Sequence, residues 1–255
     1  MLESVRKLKP WVRACQVLGG VHWDSFPTAS KESWKREHFN GFVSKLARLP
    51  VPRNARCVVD VGANVGTFAA AALSYCPQST VWAIEPSAAT CAEIKRFIGS
   101  EPRLKVLQCA VGDKPGTAEL RHAENPFSSS LNAAGDRGGD LLGPSARLTG
   151  VTEQVGVITL DQWAEENKIE SIDLLKIDVE GFEPQVIAGA KQTLQRATRQ
   201  IIIEISLARL GFDRALDLLK QIESCSFTLL NLDDITRSAV DSGPCIQFDA
   251  WFQRR

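Results

Sequence analysis

The segment Val58-Val59-Asp60-Val61-Gly62-Ala63-Asn64-Val65-Gly66-Thr67 constrains the fold more than any other in the chain. A β-branched run ends on an acid, passes through small residues and opens onto the alanine-rich stretch 67–75. This is the pattern of a buried strand, a tight turn and a helix, the opening unit of a doubly wound α/β sheet. The rhythm recurs downstream. Strands are predicted over 57–61, 80–84, 104–111, 172–177, 200–205, 227–230 and 246–251, and helices over 67–75, 88–98, 183–196 and 213–224. Alternation of this kind implies a mostly parallel, seven-stranded, Rossmann-like sheet with helices on both faces. No helix separates the last two strands, so they are expected to pair antiparallel at the sheet edge.

Residues 1–50 read as a helical cap broken at Pro10 and Pro27, and Pro50 and Pro52 divide it from a domain over 51–255. An insertion at about 114–170 interrupts the rhythm. It holds extra strands over 116–120 and 155–159, the polar run Asn125-Pro126-Phe127-Ser128-Ser129-Ser130, a glycine-rich stretch 135–150, and a short helix over 161–166. The glycine-rich part is either a substrate-covering loop or a surface loop.

The turn after the first strand lies where doubly wound sheets bind ligands, and its small residues admit a ligand close to the backbone. A dinucleotide fingerprint requires a middle glycine to admit the pyrophosphate; Asn64 occupies that position. S-adenosylmethionine has no pyrophosphate, and its amino-acid end requires polar partners such as Asp60. Glu85, at the end of the second strand, is placed to accept ribose hydroxyls. Asp113, after the third, is placed to receive an adenine amino group. Three such features at three successive strand ends favour an adenosyl cofactor over a dinucleotide, and the seven-strand arrangement suits a methyltransferase better than a dehydrogenase.

Lys176, Asp178 and Glu180, two residues apart, form a polar row leaving the fourth major strand. Lys176 is expected to pair with Glu204 of the neighbouring strand as a buried network that fixes strand geometry. Asp178 and Glu180 lie at the strand mouth, where a carboxylate either takes the acceptor's hydroxyl proton or orients the acceptor. Paired carboxylates also suit a divalent metal, but no third ligand stands out, and none is expected.

At these residues the chain resembles the FkbM family of S-adenosylmethionine-dependent methyltransferases. The resemblance covers residues 57–206. It rests on the glycine turn, Glu85-Pro86, Ala110-Val111-Gly112-Asp113, Thr159-Leu160-Asp161 and, most specifically, Leu175-Lys176-Ile177-Asp178-Val179-Glu180-Gly181-Phe182-Glu183. It implies a class I methyltransferase fold and O-methylation of a sugar, glycan or small natural product, with S-adenosyl-L-homocysteine as the product. It implies that Asp60, Gly62, Asn64, Glu85 and Asp113 line the cofactor site. Ala63, Gly66, Thr67, Phe68, Pro86, Ala110, Val111 and Asp178 are assigned to the same site with them. It places Asp178 and Glu180 near the acceptor and matches Ser129 and Ser130 to a polar segment that closes over the cofactor.

Lys plus Arg and Asp plus Glu each number 30. A long-range basic field for nucleic acid is therefore not indicated, so a nucleic-acid methyltransferase is a rival reading, as is a dinucleotide-dependent oxidoreductase. Seven cysteines without a CxxC pair suggest free thiols in a reducing cytoplasm, with Cys57, Cys109 and Cys245 buried in apolar runs. Neither a secretory signal nor a membrane span is expected. His122 is expected at the surface, and Trp11, Trp23 and Trp34 are expected to pack the cap onto the domain.

Overall fold

The computed structural model describes residues 33–125, 128–131, 147–237 and 243–255. Seven strands form the main sheet: β1 (Cys57–Val61), β2 (Thr80–Glu85), β3 (Leu104–Gln108), β7 (Leu174–Ile177), β8 (Gln200–Ser206), β9 (Phe227–Arg237) and β10 (Cys245–Arg254). Their order is β3-β2-β1-β7-β8-β10-β9. The first five run parallel, and β10 lies antiparallel to both β8 and β9. The chain winds outward from β1 to β3, then returns to place β7 on the other side of β1. The β1/β7 boundary is thus the topological switch point, where the carboxyl ends of adjacent strands diverge and leave a crevice.

One face is covered by α1 (Ser33–Arg48), α2 (Thr67–Tyr75) and α3 (Ala88–Ile98), the other by α4 (Leu160–Glu166), α5 (Glu183–Ala188), α6 (Lys191–Arg196) and α8 (Phe212–Ser224). Every residue of α2 is buried. The helix lies between the sheet and α1, and four consecutive alanines let it fit there. Phe39, Val43 and Leu46 of α1 share one core with Val58, Phe68 and Leu73, so this helix contributes to the same apolar layer as α2. Trp11, Trp23 and the Pro10 and Pro27 breaks lie outside the described residues, as do Pro126, Phe127 and most of the 135–150 stretch.

Several predicted elements differ in form. The strand over 104–111 divides at Cys109. β3 stays in the main sheet, while β4 (Ala110–Val111) pairs with β6 (Leu148–Ile158), which in turn pairs antiparallel with β5 (Gly116–Ala123) in a second, three-stranded sheet. The predicted helix over 183–196 breaks into α5 and α6 at Gly189-Ala190. A Cβ on Gly189 would lie 1.9 Å from the Gly112 carbonyl oxygen, so a close backbone approach interrupts it. A further short helix, α7 (Leu207–Leu210), follows β8 directly, and β9 and β10 are longer than their apolar cores suggested.

The described cysteines are free, but Cys57, Cys109 and Cys245 are only half-buried, whereas Cys76, Cys91 and Cys225 are fully buried. The first three sit at strand ends, where an apolar run meets a turn. Among the described residues no helix is long and apolar enough to cross a membrane.

Candidate active site

β1 delivers Asp60 to the sheet's carboxyl edge, fully buried, and the backbone then turns through Gly62, Asn64 and Gly66, all at positive φ. Gly62 and Ala63 donate to the Ile84 carbonyl, tying this turn to β2. Glu85 carries the tie further. Its carboxylate accepts the backbone N–H of Asn64 and of Ser87, each at 3.0 Å. Burial pushes the Glu85 carboxyl up to about 7, against the lowering effect of those two N–H bonds. On the other side, a Cβ on Gly62 would fall 1.8 Å from the Asp178 carbonyl oxygen. The turn is therefore held between the ends of β2 and β7.

After Ile177 the chain leaves β7 in a loop whose shape depends on Glu183. That fully buried carboxylate accepts the N–H groups of Val179 and Gly181 at 3.1 and 3.0 Å. The loop sets Glu180 at φ 56, in the left-handed region. Ser130 Oγ donates to the Glu180 carbonyl at 2.6 Å, joining the insertion to this loop.

The charges arrange differently from the expected Lys176–Glu204 pair. Parallel register sets Lys176 opposite Asp60 and Ile202, with Glu204 two residues further along β8. Lys176 Nζ lies 3.4 Å from Asp60 Oδ1 and 3.2 Å from Asp178 Oδ2. Burial works against its charge, but Asp178 and Asp60 outweigh it and raise its pKa. Glu180 pairs instead with Arg209 of α7 at 2.9 Å, a buried partner on an element not foreseen from the sequence. Glu204 accepts from Gln247 Nε2 at 3.1 Å, and its Oε1 is screened from solvent with no hydrogen-bond partner. Burial, then the neighbouring Asp178 and Glu180, hold Glu204 well above the usual carboxylate range. Asp178, Glu180 and Glu204 each offer an oxygen within 4.8 Å of one another. Glu204 is thus the third carboxylate that strand spacing alone did not bring to this point.

Two cavities meet here. The first, of about 650 Å³, crosses the ends of β7, β1, β2 and β4. Of the residues assigned to the cofactor, Gly62, Asn64, Glu85, Pro86, Ala110, Val111, Ser129 and Asp178 line it, together with Glu180, Cys109 and His122. The second, of about 1310 Å³, opens between α1, the β9–β10 hairpin and the switch point. Ala63, Thr67 and Phe68 belong to its wall rather than the first, with Trp34, His38 and Phe42. Gly62, Asn64, Asp178 and Glu180 line both. Four expected residues reach neither cavity wall. Asp60 lies buried beneath, Gly66 faces Ile94 and Ile98, Ser130 is buried against Glu180, and Asp113 is exposed. His122 and Trp34 depart from their expected places by facing cavities; β5 swings His122 inward, and the last turns of α1 rather than Trp34 supply the helix's core contacts.

The family model of the methyltransferase FkbM domain matches residues 60–229, more than half of the chain. The chain belongs to the FkbM methyltransferase family. Among its relatives, the 2-O-methyltransferase NoeI of Sinorhizobium fredii is 31% identical over 156 residues, covering 58% of this chain and 63% of the relative. The 31-O-demethyl-FK506 methyltransferase FkbM of Streptomyces tacrolimicus is 31% identical over 167 residues, covering 58% and 64%. The chain thus spans a little under two thirds of these two relatives' length. A solved structure from Listeria monocytogenes, assigned to the S-adenosylmethionine-dependent methyltransferases, superposes with a TM-score of 0.51 at 9% identity, covering 86% of this chain and 99% of that one. It shares the fold.

Proposed function

We propose that this FkbM-family chain is an S-adenosylmethionine-dependent O-methyltransferase acting on a hydroxyl of a sugar, glycan or small natural product. The observation that carries the reading is the junction of the two cavities at Gly62, Asn64, Asp178 and Glu180. The first cavity spans four strand ends, as an extended adenosyl ligand requires. The second takes the acceptor. A methyl group passing from one to the other crosses beside the carboxylates.

When bound, S-adenosylmethionine supplies an electrophilic methyl group. The protein's own groups do the rest. Asp178, held by Lys176, and Glu180, held by Arg209, are fixed near the junction and orient an acceptor hydroxyl there. Glu204, which lines the second cavity and whose Oε1 has no hydrogen-bond partner among the described residues, accepts the hydroxyl proton. Trp34, Phe42 and Phe68 line the second cavity together with the carboxylates, a combination that suits a hydroxylated ring.

The carboxylates Asp178, Glu180, Glu204, Asp234 and Asp249 in the second cavity disfavour a polyphosphate acceptor, which weakens the nucleic-acid reading. The relatives' printed names, a 2-O-methyltransferase and a 31-O-demethyl-FK506 methyltransferase, agree with transfer to oxygen.

The test is a labelled-methyl screen over glycans and hydroxylated metabolites, with and without magnesium, alongside calorimetry with S-adenosylhomocysteine and NAD. Transfer to a hydroxyl is the expected result. NAD binding without any response to S-adenosylhomocysteine overturns the reading.

A further inference from the structure

Three residues have no assigned role, although they form part of the first cavity: Leu120 and His122 of β5, and Leu131. The two cavities fix the direction of a ligand in the first. Its reactive end lies at the junction by Asp178 and Gly62, so its far end lies toward Cys109, Ala110 and Val111. Leu120, Leu131, Ser87, Thr90 and His122 complete the wall there. Asp113, which the sequence placed there, is exposed and outside the wall. Glu85 directs both carboxylate oxygens at backbone N–H groups of the protein itself.

His122 is the ring nitrogen donor and acceptor on this wall. Its Nε2 lies 3.2 Å from Glu153 Oε2, and Glu153 Oε1 accepts the Ala88 N–H at 3.1 Å, at the first turn of α3. The pair ties β5 and β6 to the turn after β2 across the cavity. With Nε2–H committed to Glu153, Nδ1 is left as the ring's acceptor nitrogen. No protein group among the described residues takes it.

We propose that His122, oriented by Glu153, is a cofactor-specificity residue. Its Nδ1 accepts a hydrogen bond from a donor of the adenosine moiety, either the adenine amine or a ribose hydroxyl. This rests on the cofactor reading above. A purely structural ion pair would bridge β5 and α3 without a preference among nucleosides.

The experiment is calorimetry on the full chain. S-adenosylhomocysteine, S-inosylhomocysteine and 2′-deoxy- and 3′-deoxy-S-adenosylhomocysteine are titrated into wild type, His122→Ala and His122→Gln. Wild type should prefer S-adenosylhomocysteine over one of the analogues by about tenfold, the worth of one hydrogen bond. The analogue that loses affinity identifies the donor. His122→Ala should bind S-adenosylhomocysteine about tenfold more weakly and lose the preference. His122→Gln, whose amide can donate to Glu153 and accept from the ligand, should recover most of both. Equal affinity in wild type and a folded His122→Ala overturns this inference alone. If that variant does not fold, wild type decides: equal affinity for all four ligands overturns the inference. Absence of any binding to wild type overturns the cofactor reading with it.

Discussion

Gly62 and the carbonyl of Asp178 approach so closely that a Cβ on Gly62 would sit 1.8 Å from the Asp178 oxygen. This contact joins the two segments that carry the family motif, and it crosses the switch point of the sheet. Gly62 also stands at φ 79, a conformation that an L side chain enters at a cost. Gly62→Ala should therefore lose about 2–4 kcal/mol of stability, from backbone displacement added to left-handed strain. Thermal unfolding measures the loss. Calorimetry on any folded fraction should show S-adenosylhomocysteine binding abolished, because the displaced strand ends form the cavity wall.

Glu183 makes a second prediction, one about pH. The residue is fully buried, and burial pushes its carboxyl up to about 7 from an ordinary 4.5 against three backbone N–H bonds. A carboxyl raised in the fold binds its proton more tightly there than in the unfolded chain. Its contribution is thus fully present below about pH 4.5 and is lost as pH rises through about 7. Glu183→Gln keeps a carbonyl oxygen for Val179 and Gly181 but cannot ionise. Its stability relative to wild type should rise by about 3 kcal/mol between pH 4.5 and 8, by the free energy of that displacement. Denaturant unfolding across this range checks the slope; parallel curves for the two proteins would contradict it.

The sheet was legible because its strands are short β-branched runs divided by helix-length segments, a local signal. The glycine turn and the Lys176 to Glu183 segment were legible for the same reason, being contiguous. What escaped was non-local. Lys176 faces Asp60 rather than Glu204 because interstrand register decides it, and register is not written in either strand alone. Arg209 meets Glu180 from a four-residue helix too short to show a period. His122 and Asp113 exchange expected places because β4 leaves the main sheet to pair with β6. The break at Gly189 follows from a contact with Gly112 that lies far away in sequence.

Phe39 tests how far α1 belongs to the core. It is 1% exposed and packs in one layer with α2 and β1. Phe39→Ala should cost about 3–5 kcal/mol, as expected for an aromatic removed from a site that cannot collapse. An exposed substitution on the same helix, such as Arg48→Ala, should cost less than 1 kcal/mol, since its bond to Asp233 is solvent-screened. Chemical denaturation compares the two. A small effect at Phe39 would mean that α1 docks on a domain already stable without it.

Glu204 gives the last prediction. Asp178 and Glu180 are each tied to a cation, whereas Glu204 lines the second cavity with an Oε1 that has no hydrogen-bond partner among the described residues. A carboxylate whose pKa is held above its usual range by burial, beside two others, is a stronger base than a free one once ionised. Glu204→Gln keeps the shape and the bond to Gln247 yet cannot take a proton. With an acceptor from the labelled-methyl screen, kcat should fall about 100-fold while S-adenosylhomocysteine affinity stays unchanged. The acid limb of the kcat profile should also disappear, since that limb reports protonation of the base in the ternary complex. A fall in Asp178→Asn and Glu180→Gln with no change in Glu204→Gln would return the base role to the β7 loop. Loss of cofactor affinity in Glu204→Gln would mean instead that the residue acts on the junction's geometry rather than on the acceptor's proton.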